Sequence, residues 1–117
     1  MTTTLKIEPT PTSLTSLTLC KEGNKFYITA YIMNTNELDI EYCDFDGPYG
    51  DYEHHLRLTE EATQKLCKIY ECDLHNLLQK VSENIDWSKG TDQPFQNFCD
   101  ENELKYETFT WIEDWDD

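Results

Sequence analysis

At 117 residues, with fifteen aromatics and only four glycines and four prolines, the chain has the size and bulk of one domain with a modest core. A formal net charge of −15 excludes nucleic acid and anionic membrane surfaces as direct partners, because both would repel it. Five scattered cysteines, an odd number, read as reduced thiols rather than a disulfide framework.

Residues 2–18 hold seven threonines and two serines with Pro9 and Pro11. Leu5 and Ile7 alternate with polar residues as in a short edge strand, which the prolines limit, so 1–12 is free to fray. Leu17 and Leu19 read as the end of a strand, and Lys21-Glu22-Gly23-Asn24 supplies a turn. Lys25 to Met33 is the clearest strand: Phe26, Ile28, Ala30 and Ile32 on one face, Tyr27, Thr29, Tyr31 and Met33 on the other. From Glu37 to Phe45, Leu38, Ile40 and Tyr42 point one way while Glu37, Asp39 and Glu41 point the other. Asp46 to Asp51 reads as a loop. Tyr52 to Leu58 then repeats the alternation, with Tyr52, His54, Leu56 and Leu58 inward and Glu53, His55 and Arg57 outward.

Thr59 has the character of an N-cap, with Glu60 and Glu61 in the positive first turn that follows. Leu66, Ile69, Tyr70, Leu74, Leu77, Leu78 and Val81 recur at three- and four-residue steps, which predicts helix over 60–82 with a break near Cys72-Asp73. Thr91 or Asp92 caps a short last helix with Pro94 in its first turn, Phe95, Phe98 and Cys99 on its buried stripe and Asn102 at its end. Lys105 to Trp111 is a final strand, and 113–117 is an acidic tail. The expected fold is α+β over a single domain, 1–117. An antiparallel sheet of four to five strands (an N-terminal meander plus a C-terminal strand) carries two to three helices on one face.

All of the net charge lies in two stretches. Nine acids between Glu37 and Glu61 face Arg57 alone, and eight between Asp100 and Asp117 face Lys105 alone; the remainder balances. On the strand from Glu37, outward carboxylates recur every ~6.6 Å, and a neighbouring strand lies ~4.8 Å away. With Tyr42, Phe45, Tyr49 and Tyr52 interspersed, and Phe109, Trp111 and Trp115 near the C-terminal acids, such an array is similar to the surfaces of nucleic-acid mimics and nuclease-immunity proteins. The likeness is one of size and charge and rests on no motif. Duplex DNA carries one charge per roughly 1.7 Å of axis, so several rows, or one row with the tail, are required. The expected function is a non-enzymatic binding or inhibitor protein masking a basic protein partner, a nuclease or other nucleic-acid-handling enzyme. Its contact residues would be Glu37, Asp39, Glu41, Asp44, Asp46, Asp51 and Glu53, with Glu113, Asp114, Trp115, Asp116 and Asp117 from the tail.

The rival reading is a small metal-assisted hydrolase using Asp44, Asp46 and His54. Against it, alternation sends His54 and His55 to opposite faces of the sheet. Cys67, Cys72 and His75 spread over roughly 140° of a helix and are a poor zinc set. There is no glycine-flanked serine and no glycine-rich phosphate loop. No cofactor or metal is therefore expected. A scaffolding domain is the third option. Met1 to Lys6 lacks the basic start and apolar run of a signal peptide, which predicts a cytoplasmic protein.

Overall fold

The computed structural model describes the backbone of residues 13–23, 25–47 and 50–112, and side chains over 15–23, 25–44 and 52–110. The expected edge strand at Leu5 and Ile7, the fraying of 1–12 and the acidic tail with Trp115 lie outside these residues. So do the side chains of Phe45, Asp46, Tyr49, Asp51 and Trp111.

Strands β1 (Ser13–Glu22), β2 (Phe26–Met33), β3 (Leu38–Gly47) and β4 (Gly50–Leu58) form an antiparallel meander. Helices α1 (Glu60–Tyr70), α2 (Leu74–Asn84) and α3 (Gln93–Glu101) follow, and β5 (Tyr106–Ile112) returns to pair antiparallel with β4. Strand order in the sheet equals order in the chain. The fold is α+β: among the described residues, three helices lie on one face of a five-stranded sheet.

The threonine-rich start is a longer strand than Leu17 to Cys20 alone, since β-branched threonine suits a pleated edge. A register shift between Thr18 and Cys20 marks a bulge, and Leu17, Leu19 and Cys20 all rest on the core. The loop expected over 46–51 is also shorter than predicted. Strand pairing continues through a further register shift as far as Gly47 opposite Gly50, so Asp46 and Asp51 are strand residues.

The core lies between the sheet and the helices. Ile28, Ala30, Ile32, Leu38, Ile40, Leu56 and Leu58 meet Leu66, Leu77, Leu78, Val81, Phe95 and Cys99 there. Thr59 caps α1 by accepting from the Ala62 N–H at 3.0 Å, and Asp73 caps α2 by accepting from Asn76 at 3.1 Å. Between them Glu71 takes a left-handed φ of 55° and ends α1, so the 60–82 periodicity breaks where Cys72-Asp73 predicted. Thr63 is fully buried; its hydroxyl accepts from the Leu38 N–H at 3.1 Å and donates to the Thr59 carbonyl at 2.8 Å, tying α1 to the start of β3. Gly90, at φ +70°, lets the turn before α3 pass so close to Phe26 that an added Cβ would lie 2.8 Å from the ring. No helix among the described residues is long and apolar enough to cross a membrane.

Candidate functional site

The face of the sheet turned away from the helices is built by alternation. Register sets three rows across it: Tyr31, Asp39, Arg57, Glu107; Thr29, Glu41, His55, Phe109; and Tyr27, Cys43, Glu53. Acids, rings and one imidazole are thus brought side by side from four strands. No helix among the described residues packs on them.

His55 is the centre of this face and is only 9% exposed. Its Nδ1 lies 2.8 Å from Asp39 Oδ1, and its Nε2 lies 3.5 Å from Glu53 Oε1 and 3.8 Å from Glu41 Oε2. Phe109 stacks on the imidazole with centroids 5.3 Å apart. The Arg57 Nε–H donates to Asp39 Oδ2 at 2.7 Å, while its guanidinium lies over the Phe109 ring, 4.9 Å from the centroid. The Tyr31 hydroxyl donates to Glu41 Oε1 at 2.8 Å, and the Cys43 thiol reaches Glu53 Oε2 at 3.7 Å.

Charge and burial perturb these groups in a consistent sense. Burial raises Glu41 above the usual carboxyl range and the neighbouring Glu53 adds to it, outweighing the pull of Tyr31 and His55 in the other direction. For His55 burial favours the neutral ring, but the hydrogen bond to Asp39 and the charges of Asp39, Glu41 and Glu53 more than offset it, so the imidazole is raised. Burial pushes the Cys43 thiol up to about 12, which keeps it a hydrogen-bond donor.

Asp39, Glu41 and Glu53 are therefore brought onto one face, but not as a uniform solvated comb. Asp39 is 2% exposed and acts as an internal anchor, because cross-strand pairing sets it opposite Arg57. Glu37, just before β3, accepts from Thr35 at the surface. Asp44 lies on the opposite, helix-bearing face, where it accepts from the Tyr42 hydroxyl at 3.2 Å. His54 is on that face too, with Nδ1 2.9 Å from Thr110 Oγ1 and Nε2 3.5 Å from Asp92 Oδ2. Asp44 and His54 of the hydrolase reading thus point away from the Glu53–His55 cluster, and the third residue, Asp46, has its side chain outside the described residues. Among the described residues the one His, Cys, Asp and Glu group whose ligand atoms converge is Glu41, Glu53 and His55. Phe109 belongs to the aromatics expected among the carboxylates, whereas Tyr31 and Cys43 carry no expected role; alternation places Tyr31 on the outward face, but it does not give its partner Glu41. No protein-family model, curated protein or solved structure matches this chain.

Proposed function

We propose that the chain is a non-enzymatic acidic binding protein that covers a basic surface of another protein with the open face of its sheet. One observation supports this reading above others: a sheet face on which no helix packs among the described residues carries Tyr27, Tyr31 and Phe109 among Glu41, Glu53 and Glu107. Aromatic rings bordered by carboxylates suit a cationic partner, and side chains fixed on strands lose little freedom on binding. The kind of partner that fits is a nucleic-acid-handling enzyme, such as a nuclease, blocked at its phosphate groove. Glu37, Glu53 and Glu107 are the contact acids of the face, with the tail from Glu113 to Asp117 as a second contact. Asp39 supports them from beneath. Five free cysteines accord with a reducing, cytoplasmic setting.

The test is affinity capture at low and high salt, followed by nucleic-acid-binding and cleavage assays on the purified captured protein. Wild type is expected to retain a basic protein at about 50 mM salt and inhibit it, whereas Glu37→Lys with Glu107→Lys loses most of the on-rate. Equal binding by the reversed variant, or a partner whose nucleic-acid chemistry is untouched, refutes the proposal.

A further inference from the structure

We propose that Glu41, Glu53 and His55 form a binding site for one first-row divalent cation, best suited to zinc, at the centre of the open face. The site stands independently of the partner-binding reading, and it revises the expectation that the chain holds no metal.

Three observations carry it. The first is convergence: one donor atom from each residue lies within 4.8 Å of the others, with His55 Nε2 at 3.5 Å from Glu53 Oε1 and 3.8 Å from Glu41 Oε2. Donors around a tetrahedral cation with bonds of about 2.1 Å sit roughly 3.4 Å apart, so both imidazole–carboxylate separations are within a few tenths of an ångström of that spacing, and the two carboxylates lie within 4.8 Å of each other.

The second is that the far side of every ligand is already held. Asp39 accepts at His55 Nδ1, which leaves Nε2 as the lone-pair nitrogen toward the two carboxylates in the neutral ring. Tyr31 occupies Glu41 Oε1 and Cys43 contacts Glu53 Oε2, so Oε2 of Glu41 and Oε1 of Glu53 are the atoms turned inward. Arg57 fixes Asp39 in turn. Carboxylate behind imidazole, and hydrogen bonds behind carboxylates, are the arrangement that orients metal ligands.

The third is placement. Glu41 and His55 are a direct cross-strand pair and Glu53 precedes His55 by two residues, so all three sit on paired backbone rather than on a loop. The Glu53 side chain is 37% exposed against 11% for His55, which makes its side the path of entry. One imidazole with two carboxylates favours zinc over magnesium, which prefers an all-oxygen shell. Three protein ligands leave a fourth position open to water or to a donor from another molecule.

The experiment is calorimetric titration of zinc into chelator-stripped full-length protein, with folding of each variant checked by circular dichroism. One saturable equivalent is expected, undisturbed by millimolar magnesium. Glu53→Gln, at the most exposed ligand, should weaken it at least tenfold. Tyr31→Phe, behind Glu41, should weaken it by a smaller factor. Cys67→Ser with Cys72→Ser and His75→Gln should leave it unchanged, which separates this site from those helical residues. Absence of a one-to-one phase, unsaturable binding of several ions, unchanged affinity in Glu53→Gln, or loss in the Cys67/Cys72/His75 variant each overturns the proposal.

Discussion

Asp39 holds His55 from below: its Oδ1 lies 2.8 Å from Nδ1 of the imidazole, and both residues are at least nine-tenths buried on the face turned away from the described helices. The same carboxylate takes the Arg57 Nε–H at 2.7 Å. An acid that the alternation assigns to solvent is therefore structural. Removing it would strand a guanidinium and an imidazole without their shared acceptor. Asp39→Ala is expected to cost about 3 kcal/mol, the low end for breaking a buried ion pair because Arg57 retains solvent contact. Glu37→Lys, at the surface two residues earlier, should stay within about 0.5 kcal/mol. Urea unfolding of the two variants checks the contrast; equal losses would contradict the buried role of Asp39.

Stability should fall as pH rises from about 6 to 8 in the metal-free protein. Glu41 and His55 both bind their protons more tightly in the folded state than in the unfolded chain. Groups of that kind contribute fully below their unfolded pKa and lose the contribution as pH climbs through the folded value. For Glu41 the loss begins above 4.5 and for His55 above 6.5. Thermal melts in chelator at constant ionic strength should show a declining midpoint, and His55→Gln should flatten the upper part of the curve. A midpoint that rises over this range would contradict the shifts.

Gly90→Ala is expected to destabilise by about 1–2 kcal/mol. The backbone there has φ +70°, and the new methyl would stand 2.8 Å from Phe26 Cζ. Phe26 cannot simply swing aside, since its ring stacks on Tyr42 with centroids 5.7 Å apart. Chemical denaturation measures the loss; a stability equal to wild type would show that the turn tolerates a side chain.

Thiol chemistry should divide the cysteines. Cys43 and Cys99 are buried, and burial pushes both thiols up to about 12. A disulfide-exchange reagent at pH 8 is expected to leave these two unmodified in the native protein and to reach them only in denaturant. Peptide mapping of the labelled protein decides the matter, and rapid native labelling of either would show that the face around Cys43 or the core around Cys99 opens readily.

Much of this architecture was legible from residue patterns, and the parts that were not share a cause. Alternation in 25–33, 37–45 and 52–58 identified β2, β3 and β4 with their inward faces, and Asp73 marked the break between α1 and α2. Alternation tells which face a side chain takes, but not which residue on the next strand lies opposite. Register does that, and register depends on turn geometry and bulges such as the one between Asp44 and Gly47. Hence the outward row was readable, while the pairing of Glu41 with His55 and of Asp39 with Arg57 was not. The site could not be assembled without those two pairings.

The identity between strand order and chain order has a kinetic consequence. Pairings from β1 to β4 join neighbours separated only by short turns, so the meander can zip up locally. The last pairing, Leu58 with Tyr106, must wait until three helices have been gathered between its partners. Docking of β5 is thus the late event in folding, and with it arrives Phe109, the ring that closes over His55. Until that moment β4 is a bare edge, able to accept a strand from a second, half-folded copy.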